Sequence, residues 1–74
     1  MDKKVFLLDK EHYTKGQVNT LTEKDLEELV AKESYEDNFT IIKIDANDYS
    51  TPDEAITGEG ICAEDEYYII SFNF

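Results

Sequence analysis

The pattern of apolar and polar positions predicts three β-strands, of which the first is the most apolar. Residues 4–8 contain no polar residue after their leading lysine, which indicates a strand buried on both faces. Residues 39–44 are rich in β-branched residues and follow the turn Asp37-Asn38, so we predict the second strand there. Alternating apolar positions predict the third strand over residues 66–72. Its apolar face consists of Tyr68, Ile70, Phe72 and Phe74.

An apolar stripe with helical spacing predicts the main helix over residues 23–33. Thr22 precedes this helix as its N-cap, and Asp25 places its charge near the positive end of the helix. Thr20 and Glu23 form a competing capping box, which would start the helix earlier. The stripe consists of Leu26, Leu29 and Val30.

The connection between the first strand and the main helix, residues 9–20, is predicted to be a loop. Gly16 and scattered polar residues interrupt any regular period in this segment. A structureless connection of this length is unusual in a compact domain. We therefore predict a short edge strand or hairpin within it at residues 17–20, with Val18 pointing into the core.

A second, shorter helix is predicted where Pro52 follows Ser50 and Thr51. Proline is favoured at the first helical position, and either hydroxyl residue would serve as the N-cap. These residues predict a single helical turn through Ile56, which the segment Gly58-Glu59-Gly60 ends.

The order of elements, β-α-β-(short α)-β, predicts one α/β (α+β) domain over residues 1–74. We expect the main helix to pack on a three- or four-stranded mixed sheet in two layers, with a right-handed crossover between the first two strands. Those strands are apolar on both sides, whereas one main helix covers only one face. Either the short helix and the loops cover the second face, or a partner does.

Charge is distributed unevenly along this chain, whose formal net charge is −11. Fifteen of its 18 acidic residues lie within residues 23–66, which contain three lysines and no arginine. A field of this sign repels nucleic acids and anionic membranes and attracts basic proteins, so we predict no direct binding to nucleic acid or membrane. A single cysteine and an N-terminus unlike a signal peptide predict a cytoplasmic protein.

No motif indicates catalysis, a metal site or a cofactor. His12 has no nucleophile or second titrating group beside it in the sequence, so we expect a solvated loop histidine. Cys62 precedes three carboxylates, which disfavour a reactive thiolate, and we expect a small buried hydrophobe there. The segment from Asp45 to Asp48 begins like a calcium loop but lacks the glycine and the closing glutamate. We therefore predict no enzyme, no metal and no cofactor.

The remaining signal is an acidic surface interspersed with tyrosines, which are favoured at protein interfaces. It predicts a small acidic interaction module that binds a protein with a basic surface. One specific version is an inhibitor or nucleic-acid mimic that acts on a basic nucleic-acid-binding protein. The candidate partner-binding residues are Glu64, Asp65, Glu66, Asp45, Asp48, Tyr49 and Tyr67.

The alternative hypothesis is a structural or assembly protein without catalytic activity. In that case residues 67–74 would pair edge to edge with a second copy and form a homodimer. The two hypotheses differ in their dependence on salt. Binding through an acidic face weakens as salt is added, whereas strand pairing tolerates it.

Overall fold

A computed structural model describes residues 2–36 and 40–74, which form an α+β domain around a three-stranded antiparallel sheet. The strand order is β2-β1-β3, so β1 is central and the other two strands form the edges. No helix in these two ranges is both long enough and apolar enough to cross a membrane. The elements are β1 (Lys4–Asp9), α1 (Lys15–Thr20), α2 (Glu23–Glu36), β2 (Ile41–Asp45), α3 (Pro52–Gly58), a 3₁₀ turn (Glu64–Glu66) and β3 (Tyr67–Phe72).

The central strand β1 is buried on both faces, which confirms the prediction from its unbroken apolar run. Its residues 5–8 are all 0% exposed. Because side chains alternate along a strand, Val5 and Leu7 point to one face and Phe6 and Leu8 to the other. The first face packs against α3, and the second packs against α1 and α2.

Three features of the predicted architecture are wrong. The sheet is antiparallel rather than mixed, and no right-handed crossover joins the first two strands, because β1 pairs antiparallel with both neighbours. Two helices, α1 and α2, lie in the connection where one was predicted, and β2 runs antiparallel to β1. The arrangement is not two-layered either, because α3 packs Ala55 and Ile56 against the second face of the sheet.

Helix α1 occupies the segment that was predicted to be a loop containing an edge strand. Thr14 and Gln17 form a reciprocal capping box at its start. Thr14 Oγ1 accepts the Gln17 N–H at 3.2 Å, and Gln17 Oε1 accepts the Thr14 N–H at 2.8 Å. Val18 points into the core as predicted and is 7% exposed. The capping box therefore outweighs the helix-weakening effect of Gly16.

Helix α2 begins at Glu23 as predicted and ends at Glu36, later than predicted. Thr22 Oγ1 accepts the Asp25 N–H at 3.2 Å, and an Asp25 carboxylate oxygen accepts the Thr22 N–H at 3.1 Å. This pair confirms Thr22 as the cap. The competing capping box is wrong, because Thr20 Oγ1 donates to a carbonyl oxygen of α1 instead.

The later elements lie close to their predicted positions. Strand β2 is described from Ile41, whereas its predicted start at Phe39 and the turn Asp37-Asn38 lie outside the described residues. Helix α3 begins at Pro52, as predicted, and extends beyond a single turn; its N-cap is Thr51, one of the two predicted alternatives. Strand β3 begins at position 67, directly after the 3₁₀ turn.

Candidate interaction surface

The seven candidate partner-binding residues lie at two opposite ends of the sheet. Asp45 pairs with Lys4 at the start of β1, whereas Tyr67 pairs with Asp9 at the end of β1. At about 3.4 Å per residue, this distance along β1 is about 17 Å. The residues therefore form two patches rather than one. We call Asp45, Asp48 and Tyr49 the loop patch, and Glu64, Asp65, Glu66 and Tyr67 the turn patch.

Each patch contains one tyrosine that is anchored on the α3 side of the sheet. Tyr49 and Tyr67 are half-buried, and both pack against the core cluster beneath α3. The Tyr49 ring lies directly over Gly58, where a β-carbon would come within 2.5 Å of the ring. An open groove of about 500 Å³ beside this ring is also lined by Asp53 and Glu54. A fixed, partly exposed ring with carboxylates beside it has the composition of a protein-binding surface.

Two carboxylates of α2, Glu23 and Glu27, are paired with lysines of the sheet. Lys4 Nζ lies 3.0 Å from Glu23 Oε1 and 3.0 Å from Glu27 Oε1. Lys43 Nζ lies 3.0 Å from Glu27 Oε2. Hydrogen bonds to Glu23 and Glu27 raise the pKa of Lys4, and hydrogen bonds from Lys43 and Lys4 lower the pKa of Glu27. This network joins β1, β2 and α2 and compensates charge where the helix meets the sheet.

Carboxylates in the C-terminal part of the chain lack this compensation. Residues 44–74 contain eight acidic residues and no lysine, arginine or histidine. Within the part of the chain that the structure describes, no salt bridge joins any of these eight to a basic group. Their field is therefore available to attract a cationic partner. The eight are Asp45, Asp48, Asp53, Glu54, Glu59, Glu64, Asp65 and Glu66.

An acidic cleft adjoins the turn patch, between the end of β1 and the start of β3. Its volume is about 310 Å³, and four carboxylates line it together with a single lysine. The ammonium group of this lysine, Lys10, lies over the Tyr68 ring, with Nζ 5.4 Å from the ring centroid. The excess of carboxylates makes this cleft suited to a lysine or arginine side chain from another molecule. The cleft is lined by Asp9, Lys10, Glu11, Asp65, Glu66 and Tyr67.

Strand β3 is an edge strand without a charged residue from Tyr67 to Phe72. Proteins commonly protect sheet edges with lysine, proline or a bulge, and the opposite edge strand, β2, contains Lys43. Ile69 is 41% exposed on the α3 side of the sheet, because α3 packs mainly over β1 and β2. The β3 edge is therefore both apolar and accessible.

Glu33 is a buried carboxylate that was not among the predicted functional residues. It is 8% exposed and accepts hydrogen bonds from the Thr40 N–H at 2.7 Å, from Thr40 Oγ1 and from Tyr13 Oη at 3.1 Å. Burial raises the pKa of Glu33, but the hydrogen bonds from Thr40 and Tyr13 outweigh it and leave the pKa below its ordinary value. Glu33 continues the helical stripe that begins at Leu26, and this spacing is the signal that predicts its burial.

The side chains considered for chemistry are not assembled into a reactive group. His12 is exposed, as expected, and its Nδ1 lies 3.1 Å from Asp9 Oδ2. Cys62 is exposed, so the expectation of a buried residue is wrong; it lies in the irregular segment between α3 and the 3₁₀ turn. Asp45 Oδ1 accepts the N–H of Asn47 at 3.2 Å, which indicates a local turn. Residues 2–36 and 40–74 contain no cluster of three metal-ligating side chains.

Comparison with protein-family models, with curated proteins and with solved structures finds no match for the chain in any of the three. The function proposed below therefore rests on the geometry and charge of the chain itself.

Proposed function

We propose that this chain is a small, cytoplasmic, acidic interaction module that binds a protein with a basic surface and catalyses no reaction. The main support is the run of uncompensated carboxylates in the C-terminal part of the chain. Glu23 and Glu27 are paired with Lys4 and Lys43, whereas none of the eight carboxylates of residues 44–74 is paired with a basic group in the described part of the chain. Both tyrosine-bearing patches belong to this uncompensated region.

The exposed carboxylates contribute more to the rate of association than to the affinity for a partner. A single solvent-exposed ion pair is worth about 0–1 kcal/mol, so no individual carboxylate gives tight binding. The field of all of them raises the association rate by about 10- to 1,000-fold at low ionic strength. The affinity then depends on apolar contacts, for which the partly exposed rings of Tyr49 and Tyr67 are available.

One specific version of the proposal is an inhibitor or nucleic-acid mimic. A basic groove that binds nucleic acid would accept a surface on which carboxylates take the place of phosphates. The loop patch and the turn patch, about 17 Å apart along β1, would provide two points of contact with such a groove. This version predicts direct competition between the chain and the nucleic acid of its partner.

The test is a pull-down from the lysate of the source cells with immobilised protein, followed by mass spectrometry. The double variant Asp65→Asn/Glu66→Gln removes two exposed charges from the turn patch. The matched control, Glu28→Gln/Glu36→Gln, removes two exposed charges from α2. We expect the wild type and the control to retain the same basic protein, and the turn-patch variant and a high-salt wash to release it. Equal retention in every case would contradict the proposal.

The alternative function is self-association through residues 67–74. It is favoured by one observation, the position of the uncharged strand β3 at the edge of the sheet. Sedimentation velocity across micromolar concentrations tests it. The alternative predicts a dimer that persists in high salt, and a monomer at every concentration would eliminate it.

A further inference from the structure

The outer edge of β3 presents backbone hydrogen-bonding groups to solvent. In an antiparallel ladder, successive residues direct their N–H and C=O groups alternately toward and away from the neighbouring strand. The Lys10 N–H donates to the Glu66 carbonyl oxygen at 2.9 Å, and this register continues along the even-numbered residues of β3. The even-numbered residues therefore bond to β1. The N–H and C=O groups of Ile69 and Ser71 point away from β1.

An apolar groove runs beside this edge, between β3 and α1. Its volume is about 390 Å³. A strand added to β3 would direct every second side chain into this groove and the remaining side chains to the α3 side of the sheet. Such a strand would need apolar residues at alternate positions. Its apolar lining residues are Val18, Leu21, Tyr68, Ile69, Ile70 and Phe72, and Lys15 and Asn19 of α1 complete the lining.

The negative charge around β3 favours an added strand that carries basic residues. The acidic residues Glu64–Glu66 immediately precede β3, so an added strand would lie next to the turn patch. A second copy of this chain also has a net charge of −11 and is repelled. An extended segment with lysine or arginine residues is attracted, and its cationic side chains have the acidic cleft within reach.

We propose that β3 binds an extended segment of the basic partner by β-strand addition. The segment pairs its backbone with the outward groups of Ile69 and Ser71, places apolar side chains in the groove and places basic side chains beside the turn patch. This inference rests on the proposed function and specifies the partner sequence: apolar residues alternate with basic ones.

The experiment is isothermal titration calorimetry of the full chain with a synthetic eight-residue peptide of alternating valine and lysine. Ser71→Pro removes one outward N–H and leaves the bonds to β1 intact, because the Ser71 N–H points away from β1. Ser71→Ala keeps that N–H and is the matched control. We expect the proline variant to bind the peptide about tenfold more weakly and the alanine variant to bind like the wild type. Equal binding by both would overturn strand addition.

A second variant keeps the test decisive if the proline variant does not fold. Ile69→Lys places a cation on the edge, at a side chain that is already 41% exposed. We expect it to bind the peptide about tenfold more weakly, since edge lysines oppose strand pairing and repel a basic segment.

A peptide of the same charge with two valines replaced by proline should also bind weakly. Binding of that peptide as tightly as the first would show attraction by charge alone and overturn strand addition.

The double variant Asp65→Asn/Glu66→Gln separates failure of this inference from failure of the proposed function. If it weakens peptide binding while Ser71→Pro and Ile69→Lys bind like the wild type, strand addition is overturned and the acidic surface remains. If all three bind like the wild type, both proposals are overturned. If the peptide does not bind and Ser71→Pro dissolves a dimer of the wild type, the occupant of the edge is a second copy, which overturns the inference.

Discussion

At the scale of single residues, Glu33 is the buried acidic group on which the pH dependence of stability should depend most. Its carboxylate accepts hydrogen bonds from Thr40, directly before β2, and from Tyr13, after β1. Because hydrogen bonds hold the pKa of Glu33 below its ordinary value of 4.5, the ionised form stabilises the folded state. This contribution is complete above that pH and is lost as the pH falls through the lowered pKa of the folded state.

We predict that Glu33→Gln lowers the free energy of unfolding by about 1–3 kcal/mol at neutral pH, since an amide cannot accept all three hydrogen bonds. Urea denaturation between pH 3 and 7, in about one-unit steps, measures the effect. The loss of stability on acidification should be smaller in this variant than in the wild type. The exposed control Glu36→Gln should retain the wild-type pH dependence. An unchanged acid profile in Glu33→Gln would show that other carboxylates are responsible.

The contact between Tyr49 and Gly58 predicts a second difference between matched variants. A β-carbon at Gly58 would lie 2.5 Å from the Tyr49 ring, so Gly58→Ala should displace the ring and cost about 1–3 kcal/mol. At Gly16 the nearest atom to an added β-carbon lies at 3.9 Å. Gly16→Ala should therefore stabilise α1 by about 0.4–1 kcal/mol. Thermal unfolding compares the two, and opposite signs are expected; a loss of stability in both would contradict this packing.

Sequence patterns predicted best those residues whose structural role depends only on neighbours in the sequence. Thr22 was predicted as a cap, and Thr51 as one of two candidate caps, because a cap depends on neighbours within one helical turn. The exposure of Cys62 depends on how the segment after α3 crosses the surface, which composition does not indicate. Burial of Glu33 follows the helical spacing, but its partners come from two other segments of the chain.

At the scale of elements, α1 depends on its capping box, because a helix of 6 residues is too short to be stable by itself. We predict that Thr14→Ala costs about 1 kcal/mol, since it leaves the Gln17 N–H without its acceptor. Thr57→Ala, at an exposed position of α3, should change stability by less than about 0.5 kcal/mol. Chemical denaturation of both variants measures the difference. Equal effects would show that Val18 packing alone holds α1 in place.

The predicted elements were mostly right, but their arrangement was not. Strand β1, helix α2 and strand β3 have strong periodic patterns and lie near their predicted positions. The right-handed crossover was predicted from the order strand, helix, strand. That order does not reveal the additional helix α1 or the antiparallel pairing of β1 with β2. Helix α3 covers the second face of the sheet, as the first of the two predicted alternatives stated.

At the scale of the whole molecule, uncompensated charge should make stability depend on salt. A net charge of −11 destabilises the compact state through self-repulsion, which added salt screens. We predict that the melting temperature rises when sodium chloride is raised from about 10 mM to about 500 mM, and that Asp65→Asn/Glu66→Gln shows a smaller rise. A melting temperature that falls with salt would show that ion pairs such as Lys4–Glu27 dominate.

The net charge follows from the composition, and the broad fold class could be predicted because strands and helices have local periodic patterns. The division of the candidate residues into two patches could not. Asp45 and Tyr67 are placed at opposite ends of β1 by the register of the two antiparallel pairings. Register depends on contacts between distant segments. The compensation of Glu27 by Lys4 and Lys43 also requires that register and the docking of α2.

The most direct test of the central claim is a map of where a basic segment binds. Amide chemical shifts of the isotope-labelled chain would be recorded by NMR during titration with the alternating valine–lysine peptide. We predict that the largest changes occur in β3, at Ile69 and Ser71, and in the adjoining turn patch, with small changes on the exposed face of α2. Changes centred on α2, or spread evenly over all acidic residues, would contradict the account.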